Sequence, residues 1–295
     1  METVGALAGI LSSAIGGSSI GATRYLASAA DPFLIGVFRF GIGAILMLPL
    51  AFVTGGRWPE PRDHAATVAL GLLFFGVFPV LFNAALIFTT AARGALALST
   101  LPLLTMLLGA VLGIEPLDAR KAIGVVVAML GVAVALASGL ATVPPLAWWG
   151  DCLMIAAAFC MAFYTVLSRG VIRRSDPLTF TGIGMAVGAL ALATVAAFRG
   201  SFGAMGGFAA PQWWALAYLG FFGGAVTFYL WSLALRHATP TRVAVSVTVN
   251  PLVAALFGAM LLDEPVQWNL IVGMAAVAAG IWIAVARPSG MQETK

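Results

Sequence analysis

The residues in this chain that could do chemistry are few, and most stand alone or in pairs inside long apolar runs. Arg39 lies between Phe38 and Phe40, Asn83 follows Phe78, Pro79 and Phe82, and Tyr164 adjoins Thr165. A further cluster holds Thr227, Phe228, Trp231 and Ser232. A guanidinium can clamp a carboxylate or pin helices through their carbonyls, and aromatic rings beside a few hydrogen-bonding groups can wall in a bulky solute. This is the chemistry of binding. The sequence has no HExxH, no GxSxG elbow, no P-loop and no Cys/His ligand cluster, so neither an intramembrane protease nor an ATP-driven pump fits, and no metal or cofactor is expected.

The elements that must position these groups follow from composition. Of 295 residues, 61% are hydrophobic and 9% charged, where a soluble domain carries roughly a quarter charged residues. That excludes a cytosolic enzyme. Crossing the hydrocarbon layer takes about 20 mainly apolar residues, and such runs fall near 4–27, 32–54, 65–90, 92–114, 121–139, 147–171, 177–198, 212–236, 240–262 and 268–286. No segment alternates as a barrel wall must, so the spans are helices. The first span lacks a basic leader and an Ala-x-Ala site and is expected to be retained. Cys152 and Cys160 sit about 12 Å apart along one helix and cannot pair.

Basic residues orient the chain. With the N-terminus inside, Arg57, Arg62, Arg120, Lys121, Arg169, Arg173, Arg174, Arg236, Arg242, Arg287 and Lys295 lie on the inner side, and Arg24, Arg93 and Arg199 on the outer. This bias predicts that both termini are cytoplasmic. The net charge of +4 is scattered between apolar runs, which fits lipid-flanking cations and not a nucleic-acid partner. Arg39 is the one basic residue inside a span, roughly 10 Å deep. Every Asp and Glu falls at a span end or in a loop, and His64 and His237 are placed in cytoplasmic loops. A proton-coupled antiporter generally needs a titratable midplane group, so movement down a gradient is favoured; Asp151, about two turns from mid-span, keeps proton coupling open.

The chain also repeats. A shift of 149 lays Arg93 on Arg242, Pro102 on Pro251, Gly109-Ala110 on Gly258-Ala259, Glu115-Pro116 on Glu264-Pro265, Gly124 on Gly273 and Gly131 on Gly280, and 79–136 matches 228–285 at 17 of 58 positions. A shift of 145 lays Arg24 on Arg169 and Asp31-Pro32 on Asp176-Pro177. Two five-helix halves result. Five is odd, so the second half enters the membrane in the opposite sense, as in secondary transporters whose site lies between inverted halves.

The Arg of Phe38-Arg39-Phe40, a mid-helix Pro in the fourth and ninth spans, and a Glu-Pro after each give a pattern that resembles the EamA-type drug/metabolite transporter superfamily across the whole chain. The ten spans and the aromatic-rich third and eighth helices are most similar to its YddG-type exporters of aromatic and other neutral amino acids. The resemblance implies a helix bundle around a central cavity that opens alternately to the two sides.

The repeat selects residues within that frame. Positions 75, 78/79, 82/83 and 86 share one helical face, which predicts an aromatic wall of Phe75, Phe78 and Phe82 with Asn83; the matching wall holds Thr227, Phe228, Trp231 and Ser232. On the first helix Ser12, Ser13, Ser18, Ser19 and Thr23 correspond to Ala157, Ala158, Phe163, Tyr164 and Ser168. Gly17-x-x-x-Gly21 favours close packing there, whereas Tyr164 is the strongest single candidate for substrate contact. Pro102 and Pro251 either hinge a gate or set a static curvature. Glu115 and Glu264 are placed where they could cap or lock adjacent helices.

The sequence therefore reads as an all-α polytopic membrane protein: ten transmembrane helices in two inverted five-helix repeats, 1–140 and 141–295, around a central cavity. The expected function is secondary export of small neutral organic solutes, aromatic and other neutral amino acids foremost, by alternating access and facilitated diffusion. Expected substrate-binding residues are Ser19, Arg39, Phe78, Pro79, Phe82, Asn83, Tyr164, Thr165, Thr227, Phe228, Trp231 and Ser232, with Pro102 and Pro251 as hinges. The partners are the solute and the bilayer, the state is monomeric, and the location is the plasma (inner) membrane. The rivals are a proton-coupled exporter of drugs or other metabolites, and a non-transporting scaffold or lipid scramblase.

Overall fold

A computed structural model describes residues 2–27, 29–89, 94, 97–136, 146–253 and 268–285. Arg93, Gly258, Ala259, Asp263, Glu264, Pro265, Arg287 and Lys295 lie outside them. The described residues form helices joined by short turns, with no strand among them. In chain order the helices are α1 (Glu2–Leu26), α2 (Pro32–Val53), α3 (Pro61–Phe88), α4 (Leu101–Val111), α5 (Ala119–Leu136), α6 (Ala147–Arg174), α7 (Pro177–Phe198), α8 (Ala210–His237), α9 (Pro240–Val245) and α10 (Trp268–Val285). Six of these, α1, α2, α3, α6, α7 and α8, are long and apolar enough to cross a membrane. The fourth and ninth expected spans run partly through residues outside the described set. Val53, Val111 and Phe198 are each more than 80% exposed, an apolar surface of the kind that lipid covers.

Local sequence explains why matching helices start and bend alike. Asp31 and Asp176 each precede a proline at the first helical position, and each carboxylate accepts a hydrogen bond at 2.9 Å, from the amides of Leu34 and Leu178 respectively. Helices α3 and α8 are both 28 residues long. Each widens into a π-helical stretch, Leu72–Val77 in α3 and Leu219–Val226 in α8, and each ends on a residue in extended conformation, Thr89 or Ala238.

Packing links the two halves. Helix α1 lies along α8 and α6 along α3; α2 and α7 pack on each other, and each also packs on the π-helical stretch of the other half's long helix. Helices α5 and α10 meet back to back through glycines. A Cβ on Gly124 would come within 2.7 Å of the Gly280 carbonyl oxygen, and one on Gly131 within 2.9 Å of that of Gly273. These four residues are the two pairs matched by the 149-residue shift. As numbering rises on α5 it falls on α10, so the helices run antiparallel and the contact maps onto itself when the halves are exchanged. The glycines repeat because two backbones must approach closely.

The sequence pattern places Pro102 and Pro251 mid-helix. Pro102 instead sits in the first turn of α4, after a turn at Ser99–Thr100. Helix α9 passes into a 3₁₀ turn at Ser246–Thr248, and Pro251 follows it in the next helical stretch. The fourth segment is broken by the turn before Pro102, whereas the ninth stays helical to 253 and only tightens into a 3₁₀ turn ahead of Pro251, because proline has no amide to donate and starts a helix more easily than it continues one.

Candidate functional site

At the seam of the halves a cavity of about 40 Å³ has room for a few water molecules. Helix α1 gives it Ser12, Ser13, Gly16 and Ile20, α2 gives Arg39, and α3 gives Phe78 and Phe82. Helix α8 adds Thr227, Phe228 and Trp231, α6 adds Met161, and Leu98, Val247 and Asn250 come from the fourth and ninth segments.

Arg39 is 7% exposed. Its Nε donates to the Gly223 carbonyl at 3.0 Å, and the guanidinium carbon lies 5.6 Å from the ring centroids of both Phe40 and Phe228. Glycine at 223 and 224 is what allows this approach: a Cβ on Gly224 would come within 2.3 Å of the Arg39 carbonyl oxygen. On α1, Ser12 donates to the Thr227 carbonyl at 2.7 Å. Ser246 spends its proton on the Val243 carbonyl, so Ser13, 3.0 Å from the Ser246 hydroxyl, donates to it. Gly16 and Gly17 leave space for Asn250, whose carbonyl oxygen would lie 2.5 Å from a Cβ on Gly17. Among the described residues nothing comes within 4 Å of a Cβ on Gly21. The side-chain Oδ1 of Asn250 is buried and, among the described residues, has no hydrogen-bond partner.

Six expected residues, Arg39, Phe78, Phe82, Thr227, Phe228 and Trp231, share this cavity. The other six lie away from it. Ser19 donates to the Ile15 carbonyl, and its side chain packs against Gly223. Pro79 packs near Gly36, and Asn83 donates to the Pro32 carbonyl at 3.0 Å. Ser232 joins α8 to α7 through a 2.6 Å hydrogen bond with Thr181, and Thr165 is fully buried. Tyr164 is 1% exposed and stacks on Phe74 at 4.1 Å; its hydroxyl sits against the Thr181–Ser232 pair without a well-formed bond to either.

Tyr164 belongs instead to an aromatic plug beside the cavity. Phe74 and Phe75 meet Tyr164 and Phe228, and Phe40 closes onto Phe75 and Phe228. The π-helical stretch at Leu72–Val77 explains why the expected wall divides. It adds residues to the turn, so Phe75 rotates into the plug while Phe78 and Phe82, stacked at 5.5 Å, face the cavity. Sequence reasoning missed Gly16, Ile20, Leu98, Met161, Val247 and Asn250, and assigned Ser12 and Ser13 to packing. An Asn directly before Pro251 in an apolar span was the available signal for Asn250.

The model of the EamA-like transporter family matches this chain twice, over 3–137 and 148–286. The chain belongs to the EamA-like transporter family. Relatives include the uncharacterized transporter YyaM of Bacillus subtilis, 24% identical over 91% of this chain and 89% of that protein. The uncharacterized protein PA1977 of Pseudomonas aeruginosa is 32% identical over 88% of this chain and 86% of its own length. A solved crystal structure with 20% identity superposes at a TM-score of 0.76, covering 95% of this chain and 96% of the other. Membership of the family makes the protein a multi-pass membrane protein of transporter type.

Proposed function

We propose that this EamA-like protein is a secondary exporter of small neutral organic solutes, with aromatic and other neutral amino acids foremost. The halves 1–140 and 141–295 would cross the plasma (inner) membrane in opposite senses, with both termini cytoplasmic and ten spans in all, and rock about the cavity at their seam. The observation that carries this reading is the cavity itself: Phe78, Phe82, Phe228 and Trp231 surround one guanidinium and two serines, contributed by both halves. At about 40 Å³ it is too small for such a solute as it stands, since a small-molecule pocket takes ~300 Å³ or more. The rings would part as the halves rock. Irregular helices at the site, here the turn in the fourth segment and the 3₁₀ turn in the ninth, are a recurring feature of transporters built from repeats.

No described carboxylate or histidine lines the cavity, which supports facilitated diffusion over proton exchange. Asp151, the acid closest to an alternative, accepts a hydrogen bond from Thr89 at the end of α3 and stands apart from the cavity. Liposomes containing the purified protein and loaded with labelled Phe, Thr or Met test the reading. Efflux without a pH gradient is expected. Absence of efflux for all three would overturn amino acid export, and efflux that requires the gradient would replace uniport by proton coupling.

A further inference from the structure

We propose that Arg39 is a carboxylate-binding site and that the cavity recognises its solute as an organic carboxylate with an apolar body, not through an amino group. The proposal rests on the transport reading for the solute's passage, narrows it to solutes that carry a carboxylate, and extends it from neutral amino acids to acids without an amino group. Arg39 uses Nε alone on the Gly223 carbonyl, and among the described residues nothing else accepts from its guanidinium. Its other amino groups, the pair that makes a two-point contact with a carboxylate, are left over on a residue that lines the cavity.

The charge is also unbalanced. Described carboxylates are committed elsewhere: Asp63 to Arg174, Glu115 to Lys121 and Asp176 to Arg236. A buried cation without a counter-ion is costly, and the rings of Phe40 and Phe228 offset only part of that cost. An incoming carboxylate supplies the missing charge. An incoming ammonium finds no acid in the cavity; Asn250 Oδ1, a neutral acceptor, is the available group. The geometry therefore rewards the acid end of an amino acid and gives its amino end little. An acid lacking the amino group fits the same site, and an amine lacking the carboxylate does not.

Three ligands of one body separate the ends: phenylalanine, 3-phenylpropionate and 2-phenylethylamine. Thermal stabilisation of the purified full-length protein reads binding without requiring transport, and counterflow of labelled phenylalanine in liposomes reads flux. Phenylpropionate is expected to stabilise at concentrations no higher than phenylalanine, with phenylethylamine needing at least ~10-fold more. Arg39→Gln should abolish that preference and Arg39→Lys retain part of it. An amine that binds wild type as well as the acid overturns the proposal whether or not the variants fold, and so does binding by none of the three. An acid preference that survives in Arg39→Gln overturns it too. Acid-selective binding without counterflow would leave the carboxylate site standing and remove the transport reading. Counterflow blocked equally by amine and acid would do the reverse.

Discussion

Arg39 and Gly184 occupy the same register of the two halves, 145 residues apart, and the helices they face have exchanged bulk in the opposite direction. Opposite Arg39 stand Gly223 and Gly224; opposite Gly184 stands Phe75, whose ring edge lies 3.0 Å from where a Cβ would be. Phe74 and Phe75 are the repeat counterparts of the two glycines. One half thus places a cation where the other places aromatic rings, and Ser19, the counterpart of Tyr164, is small where Tyr164 is large. The duplicated scaffold has become a site with a polar side and a plugged side.

This exchange makes Gly224 and Gly184 unequal. A methyl at 224 collides with backbone, which cannot move without separating α2 from α8, whereas a methyl at 184 meets a ring edge that can tilt. Gly224→Ala should therefore cost at the upper end of the ~1–3 kcal/mol typical of overpacking, and Gly184→Ala at the lower end. Melting followed by fluorescence-detected size exclusion gives the order. Equal losses would mean that the helices relax more freely than the contact implies.

Tyr164 separates ring from hydroxyl. Its ring stacks on Phe74 and, among the described residues, its hydroxyl has no well-formed partner, so Tyr164→Phe should leave stability unchanged or slightly raised. Tyr164→Ala should cost ~3–5 kcal/mol by leaving a void in the plug. If the plug closes one side of the cavity, the alanine variant also leaks solute in liposomes while the phenylalanine variant transports normally. Loss of transport in Tyr164→Phe with stability intact would give the hydroxyl a role in substrate contact.

The helices and their repeat were legible because both rest on local rules: apolar length, Asp-Pro starts at 31 and 176, and glycines where backbones touch. Six of the twelve expected binding residues share the cavity because they lie on helices that face it in both halves. The other six lie outside this cavity for identifiable reasons. The π-helical stretch at Leu72–Val77 breaks the 3.6-residue period used to align Phe75 with Phe78, and hydroxyls such as Ser232 found partners on a neighbouring helix that no single-helix pattern reveals. The 3₁₀ turn at Ser246–Thr248 shifts the register that would place Asn250, and a proline pattern alone does not separate a mid-helix kink from a helix start such as Pro102 in α4.

Asn250 should respond differently from a structural amide. Its Oδ1 has no partner to lose among the described residues, so Asn250→Ala should leave the melting temperature within about 2 °C of wild type, since a change of a few tenths of a kcal/mol moves a chain of this size little. Solute affinity should fall several-fold if the amide contacts cargo. Scintillation-proximity binding with labelled phenylalanine measures this. Unchanged affinity would place the amide outside the solute's path.

Glu115 ties the halves together through a pH-sensitive contact. Its carboxylate holds Lys121 at 2.5 Å and accepts from both the amide and the hydroxyl of Thr241, each at 3.1 Å, at the start of α9. Burial pushes the carboxyl up, but the hydrogen bonds from Lys121 and Thr241 outweigh it and hold the group below its ordinary value of 4.5. A lowered folded-state pKa means that the stabilisation is fully present above about 4.5 and is lost as pH falls through the folded value. The wild-type melting temperature should drop below pH 4.5 more steeply than that of Glu115→Gln. At neutral pH the glutamine variant should be less stable by about 3 kcal/mol, because it strands the Lys121 charge in a buried position. Glu115→Gln with Lys121→Met removes the stranded charge and should recover most of that loss. A double variant no more stable than the single one would show that the cap on Thr241, rather than the ion pair, supplies the stability.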